Sequence, residues 1–237
     1  MSFKQRVYYD LYIHSVLSPC AEDEMTPHNI VNMSYLKQLD MIAVTDHNSC
    51  ANLHVIERLC QALSIVLIPG IEVESKEGIH LLCYFKTVKI AMVFGQYIES
   101  QLGSIQNNER VFGHQWVMND LDEVVESKQA LLIQSTVLSL EEIAQLVITY
   151  DGIMIAAHLN KSQSIISQLG CIPPDLTLHG VELNRDIYER NQVGFKGHYP
   201  LVINSDAHNL ATISERVYYF DNIEKSREGF FSSFKEE

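Results

Sequence analysis

Short apolar runs rich in β-branched and aromatic residues recur along the chain, and each stops abruptly at a polar cluster. Residues 7–13 stop at His14 and Ser15, residues 41–45 at Asp46, His47 and Asn48, and residues 152–157 at His158. Their length and composition predict strands rather than helices. Helical spacing follows them. Ile30, Val31, Met33, Leu36 and Leu39 hold one face of a helix that Thr26 opens as a cap, with Pro27 at its first position. Residues 53–63 and 162–169 also read as helices, and Ser139 with Glu142 three residues later is a capping-box pattern opening another, to residue 149.

Between these units, residues 65–69 predict a strand that leads through Gly70 into Ile71, Glu72, Val73 and Glu74, and Lys76-Glu77-Gly78 turns the chain back into residues 79–83. In such a hairpin Glu72, Glu74 and His80 share parity and face one side. Residues 180–184 form a further short strand, 186–191 one or two helical turns, and 201–204 a strand ending on Ser205, Asp206, Ala207 and His208. An edge strand is expected at 216–220 and a terminal helix within 222–237. The pattern is weakest over 86–138, where a helix at 88–100 precedes mixed residues around Trp116, so an insertion or helical cover is expected there. Repeated strand–helix units favour parallel strands, and closing about seven of them gives an α/β fold, a distorted seven-stranded (β/α)7 barrel, whose C-terminal rim gathers the strand-end side chains. No repeat or linker divides the chain, so residues 1–237 are expected to form a single domain.

Composition narrows the chemistry. A net charge of -13 argues against strong binding to nucleic-acid backbone and suits a cation site. Five widely spaced cysteines, Cys20, Cys50, Cys60, Cys83 and Cys171, form no C-x-x-C pair, so reduced thiols in a cytoplasmic protein are expected rather than disulfides or a zinc ribbon. Residues 1–6 precede no apolar segment of the signal-peptide kind, and no run reaches the roughly 18 apolar residues of a membrane span. The expectation is a protein with no membrane partner.

His14, His47, Glu72, His158, Asp206 and His208 all lie at or just past strand ends, and the hairpin would bring His80 to join them. Any one could be structural: His47 or Asp206 capping a helix, His80 satisfied within a sheet. Taken together they form a set of imidazole and carboxylate ligands suited to zinc, manganese or iron, in which Glu72 can bridge two ions through its two oxygens. With no thiolate expected in the ring, an open hydrolytic centre fits better than a closed structural zinc site. His28, His54, His114, His179 and His198 lack this placement and are expected to be structural, while Glu74 and Glu182 remain open. Glu22 or Asp23, in the loop after His14, can supply a further ligand.

Six motifs in order, D-L-x-x-H-S at Asp10, T-D-H-N at Thr45, G-I-E-V at Gly70, H-L-L at His80, A-A-H at Ala156 and N-S-D-A-H at Asn204, resemble the PHP family, the polymerase and histidinol phosphatase domain. The resemblance is to its stand-alone bacterial members. It implies a distorted seven-stranded barrel holding two or three divalent ions on His14, His47, Glu72, His80, His158, Asp206 and His208. It also implies hydrolysis of a phosphomonoester or phosphodiester of a small molecule or nucleotide by a metal-activated hydroxide. Lys161 and Arg185 are placed to bind the phosphate, and His208 or His158 to act as general acid. One position departs from the family pattern, H-x-H, because Tyr12 stands where its first histidine would be. A phenol with a pKa near ~10 is a poor ligand at neutral pH, so one site is expected to be weakened. That departure leaves a second expectation, a degenerate member that binds or regulates, and related metal barrels offer a third, hydrolysis of a carbon–nitrogen bond.

Overall fold

The computed structural model describes residues 4–159, 161–186, 188 and 199–234. The strand-and-helix units are present and the class is α/β. β1 (Gln5–Ile13), β2 (Met41–Val44) and β3 (Val66–Leu67) pair in parallel, and β11 (Tyr219–Ile223) adds antiparallel to the free edge of β1. A second sheet runs β10 (Leu201–Asn204), β9 (Gly180–Asn184), β8 (Ile153–Ala156), β5 (His80–Tyr84), β4 (Gly70–Glu74). In it β4 and β5 form the expected hairpin, with Glu74 opposite His80 and Glu72 opposite Leu82.

The pairing does not show a closed barrel. Four-stranded and five-stranded sheets stand as separate ladders, and the β4–β5 and β5–β8 pairs are antiparallel. Among the described residues, single bridges connect the sheets at Ile13 with Ala207 and at His47 with Glu72. The physical reason is that side chains take main-chain groups at both seams: Asn204 Oδ1 accepts the Leu11 N–H and Asn48 Oδ1 accepts the Glu74 N–H, where a closed barrel would have main-chain rungs.

Alternate side chains fill two layers. Leu11, Tyr12, Ala43, Leu82, Tyr84, Ile155 and Val202 pack between the sheets, and Phe230 and Phe231 of α7 (Arg227–Ser232), with Phe234 beyond it, pack onto the same cluster. Ile42, Val44, Leu81, Cys83, Met154 and Val181 face the other way, into a layer that includes Ile30 and Val31 of α1 (Pro27–Leu36), Leu53 and Ile56 of α2 (Leu53–Ala62), Phe94 of α3 (Val88–Ser100), and Ile143 of α5 (Leu140–Thr149). The start signals operate locally. Thr26 accepts the Asn29 N–H, and both arms of the Ser139–Glu142 capping box are made. The helix expected at 162–169 is confined to α6 (Ile165–Leu169), opened by Ser164.

After α3, a short α4 (Glu109–Phe112) precedes a two-stranded hairpin, β6 (Trp116–Met118) with β7 (Val124–Ser127). This segment lies against the loops that follow β1 and β2. Trp116 N–H donates to the Val16 carbonyl, Asn52 bonds both Trp116 and Met118, and Gly113 sits so close to Pro19 that a Cβ there would meet its carbonyl oxygen at 2.2 Å. The turns expected at 186–191, together with His198 and residues 235–237, lie wholly or largely outside the described residues. Among the described residues no helix is long and apolar enough to cross a membrane.

Candidate functional site

Strand ends at one side of the two sheets bring His14, His47, Glu72, His80, His158, Asp206 and His208 into a single cluster. Glu72 is at its centre and fully buried. Its Oε1 is 2.6 Å from His80 Nδ1 and 3.8 Å from His158 Nε2, while its Oε2 is 3.1 Å from His47 Nδ1 and 3.3 Å from His14 Nε2. The carboxylate therefore divides the cluster into two halves. Asp206 Oδ1 reaches the first, 3.2 Å from His14 Nε2, and His80 Nδ1 and His158 Nε2 lie 3.0 Å apart in the second. His158 and Asp206 both sit at positive φ, 31° and 55°, a cost tolerated where side-chain direction matters.

Neighbouring polar groups aim the rings. Ser18 Oγ donates its one proton to Asp46, at 2.7 Å, and accepts the His47 N–H. Toward His14 Nδ1, 3.1 Å away, it can only accept, so the hydrogen-bond network assigns the proton to Nδ1 and turns Nε2 inward. Glu74 faces His80 Nε2 at 3.3 Å and turns Nδ1 inward in the same way. The Asp206 carbonyl accepts from His208 Nδ1–H at 2.7 Å, which leaves His208 Nε2 for the cluster. Of the two glutamates the sequence left open, Glu74 thus orients His80, and the fully buried Glu182 accepts the His158 N–H.

The electrostatics of the cluster suit a cation. Burial opposes the Glu72 charge, yet His47, His80 and His14 hold its carboxyl well below the usual range. Burial pushes His47 down to about 3 and His158 down to about 4. His80, despite burial, is held protonated by Glu72 and Glu74 up to about 10. Three buried atoms of the cluster, His47 Nδ1, Glu72 Oε2 and His158 Nδ1, have no hydrogen-bond partner. Orphaned acceptors in such a place are costly unless a cation receives them. Ligand separations of 3.0–3.3 Å also match those around one ion with roughly 2.1 Å bonds, so the residues fit a metal.

Tyr12 is fully buried, stacks on His158 and donates its hydroxyl to Glu72 Oε1. It occupies the cluster as a hydrogen-bond donor, and burial, with the nearby Glu72 and Asp206, pushes its phenol well above its ordinary value. Lys161 pairs with Asp206 at the mouth, its side chain 30% exposed. Arg185 instead pairs with Asp186 beside Ala211 and Glu215, and among the described residues no hydrogen bond or ion pair joins it to the cluster. Neither acidic candidate of the first loop reaches the centre. Asp23 pairs with His114, and it is the Glu22 main chain that bonds the His208 carbonyl. What that loop does bring in is Cys20, whose sulfur lies within 4.8 Å of ligand atoms of His14, His47 and His208. The expectation that no thiol enters the ring is thereby corrected; the signal was only a cysteine six residues beyond His14, too little to act on.

No protein-family model matches the chain, and no curated protein does either. Solved structures do. The lesion-specific endonuclease PfuEndoQ of Pyrococcus furiosus superposes with a TM-score of 0.63 at 21% identity, over 86% of this chain and 49% of its own. A complex of endonuclease Q with a 27-mer duplex substrate carrying an abasic lesion at the active site gives 0.60 at 21% identity, over 86% and 50%. This chain thus spans about half the length of those endonuclease chains. A two-domain protein of Bacteroides vulgatus containing a predicted PHP-like metal-dependent phosphoesterase gives 0.53 at 16% identity, over 98% and 63%. An amidohydrolase of Chromobacterium violaceum with bound sulfate gives 0.59 at 14% identity, over 96% of both chains. The expectation of no strong nucleic-acid binding is contradicted by the endonuclease, a neighbour of similar fold whose substrate is a lesion-bearing duplex. Net charge is a poor guide here because it sums the whole surface rather than one site. The chain shares its fold with PHP-like metal-dependent phosphoesterases, and its buried histidine–carboxylate cluster is a candidate metal centre.

Proposed function

We propose that this protein is a metal-dependent phosphoesterase in which His14, His47, Asp206 and His208 would hold one divalent ion and His80 and His158 a second, with Glu72 between them as a ligand available to both. The observation that carries this is the buried pair Glu72 Oε2 and His47 Nδ1, 3.1 Å apart yet joined by no hydrogen bond. Ions placed there acidify water and neutralise phosphate oxygens. His208 is assigned as a ligand rather than as general acid, since its Nδ1–H is committed to the Asp206 carbonyl. The two single bridges between the sheets support the finer description of the fold as a distorted barrel opened at two seams.

Lys161, paired with Asp206 at the edge of the cluster, is the residue proposed to receive the substrate phosphate. Replacing Lys161 with Met is expected to lower kcat/KM by about 10- to 100-fold, the worth of one charge-assisted hydrogen bond, while metal content stays unchanged. A matching loss of metal would make Lys161 a structural partner instead.

Nucleotides and nucleic acids are the favoured substrate class, on the strength of the endonuclease complex with its lesion-bearing duplex. The test is metal analysis of the purified protein, then turnover of aryl phosphate mono- and diesters, a nucleotide panel and a duplex with an abasic site, with manganese, zinc or chelator. Metal-dependent phosphoester hydrolysis is expected. Protein that retains no metal and shows no turnover after reconstitution would end the proposal in favour of a degenerate member. The amidohydrolase likeness favours a second reading, carbon–nitrogen hydrolysis, so an amide panel belongs in the same assay.

A further inference from the structure

We infer that Cys20 is a thiolate ligand in the His14–His47–His208 half of the cluster, which makes the two halves chemically unlike and gives each its own metal preference. The inference rests on the metal-dependent function proposed above and goes beyond it by assigning a ligand and a selectivity.

Placement is the first argument. Four candidate ligand atoms, one each from His14, Cys20, His47 and His208, all lie within 4.8 Å of one another, and a separate group is formed by Glu72, His80 and His158. Cys20 is held there from both sides. Pro19 rests against Gly113, where even a methyl group would collide with its carbonyl oxygen, and the Glu22 N–H is bonded to the His208 carbonyl at 2.9 Å. Within the loop, the Ser18 N–H bonds the Ser15 carbonyl at 2.9 Å and the Ala21 N–H bonds the Ser18 carbonyl at 3.0 Å, so the turn carrying Cys20 is fixed over the cluster.

A second observation is independent of the cysteine. His47 is buried and its Nδ1 has no hydrogen-bond partner, so this half of the cluster contains a nitrogen still in want of a cation. The other cysteines are placed differently: Cys50, Cys60 and Cys83 are buried in the apolar core, and Cys171 is exposed and outside both groups. Among the described residues only Cys20 joins histidines in this way.

The consequence follows from ligand softness. A thiolate added to three imidazoles and the Glu72 and Asp206 carboxylates shifts this half toward zinc, whereas the other half, a carboxylate with two imidazoles and no sulfur, accepts manganese or iron as well. A protein given both metals should therefore load zinc in the half with sulfur and tolerate manganese in the other. Cys20 is also exposed, so this half opens to solvent at the mouth.

Cobalt(II) substitution reads the ligand directly, because a thiolate bound to cobalt gives a near-ultraviolet charge-transfer band that nitrogen and oxygen ligands do not. The full chain titrated with cobalt is expected to show this band. Cys20→Ser and Cys20→Ala should lose it, and Cys171→Ser should keep it. Zinc affinity should fall in the Cys20 variants by more than the ~10–100-fold typical of losing an outer-shell partner, with manganese affinity nearly unchanged. Cobalt binding without the band in the unaltered protein would overturn the inference and leave the metal-dependent function standing. No cobalt binding at all would overturn both.

Discussion

Glu72→Gln is expected to empty both halves of the cluster together. The carboxylate lies between the halves, with Oε1 toward His80 and His158 and Oε2 toward His14 and His47. An amide keeps one acceptor, replaces the other by a donor and carries no charge, so it can neither bridge two cations nor balance them. Each half would then confront two or more imidazoles with no central anion. Metal retained after desalting should drop to background, and phosphoester turnover should fall by well over ~100-fold, beyond the effect of an outer-shell change. A substitution confined to one half, such as His80→Asn, should spare the ion on the other side. Elemental analysis with calorimetric titration checks the pair, and a Glu72→Gln protein that keeps both ions would show that Glu72 does not bridge.

Metal-free protein is expected to lose more stability than metal-loaded protein as the pH rises from 7 to 9. Burial opposes a charge on His80, but Glu72 and Glu74 outweigh it and hold the proton in the fold up to about 10. In the unfolded chain the same ring lets go near its ordinary value of about 6.5. Below that value both states are protonated and the contribution is complete. Above it the unfolded chain releases a proton that the fold retains, and stability declines by ~1.4 kcal/mol per pH unit until the folded ring titrates. From pH 7 to 9 this single group costs about 3 kcal/mol. Glu182, pushed up by burial, and His14, raised by Asp206 and Glu72 against burial, change in the same sense. With metal bound, His80 and His14 have already given up their protons, and their part of the slope disappears. Calorimetric Tm values across this range, with chelator and with zinc, check both halves of the statement; a flat metal-free profile would contradict it.

Much of this was legible in the chain because the signals were local. The apolar run before His14, the cap at Thr26, the capping box at Ser139 and the turn at Lys76-Glu77-Gly78 each act over a few residues, and each element forms where it was expected. Barrel closure was not legible, since it depends on pairing between segments far apart in sequence, where the Leu11 and Glu74 N–H groups bond the Asn204 and Asn48 side chains rather than main chain. The segment after α3 was obscure for a different reason. Its buried polar residues serve backbone groups rather than an apolar pattern: Gln115 bonds the main chain at Lys128, Ala130 and Leu132, and Gln134 that at Ile105 and Leu131. Cys20 escaped because its partners are brought by three separate strands, and no spacing within one loop reveals that.

The contact between Gly113 and Pro19, with the bonds that tie Trp116 and Met118 to Val16 and Asn52, divides labour within the molecule. The α4 and β6–β7 segment braces the loops that carry the chain away from β1 and β2 and contributes none of the candidate ligands. Changes of length or sequence there can redraw what fits against the cluster while the ion-holding residues keep their places. A lineage carrying this scaffold could in that way exchange one substrate for another by editing a brace.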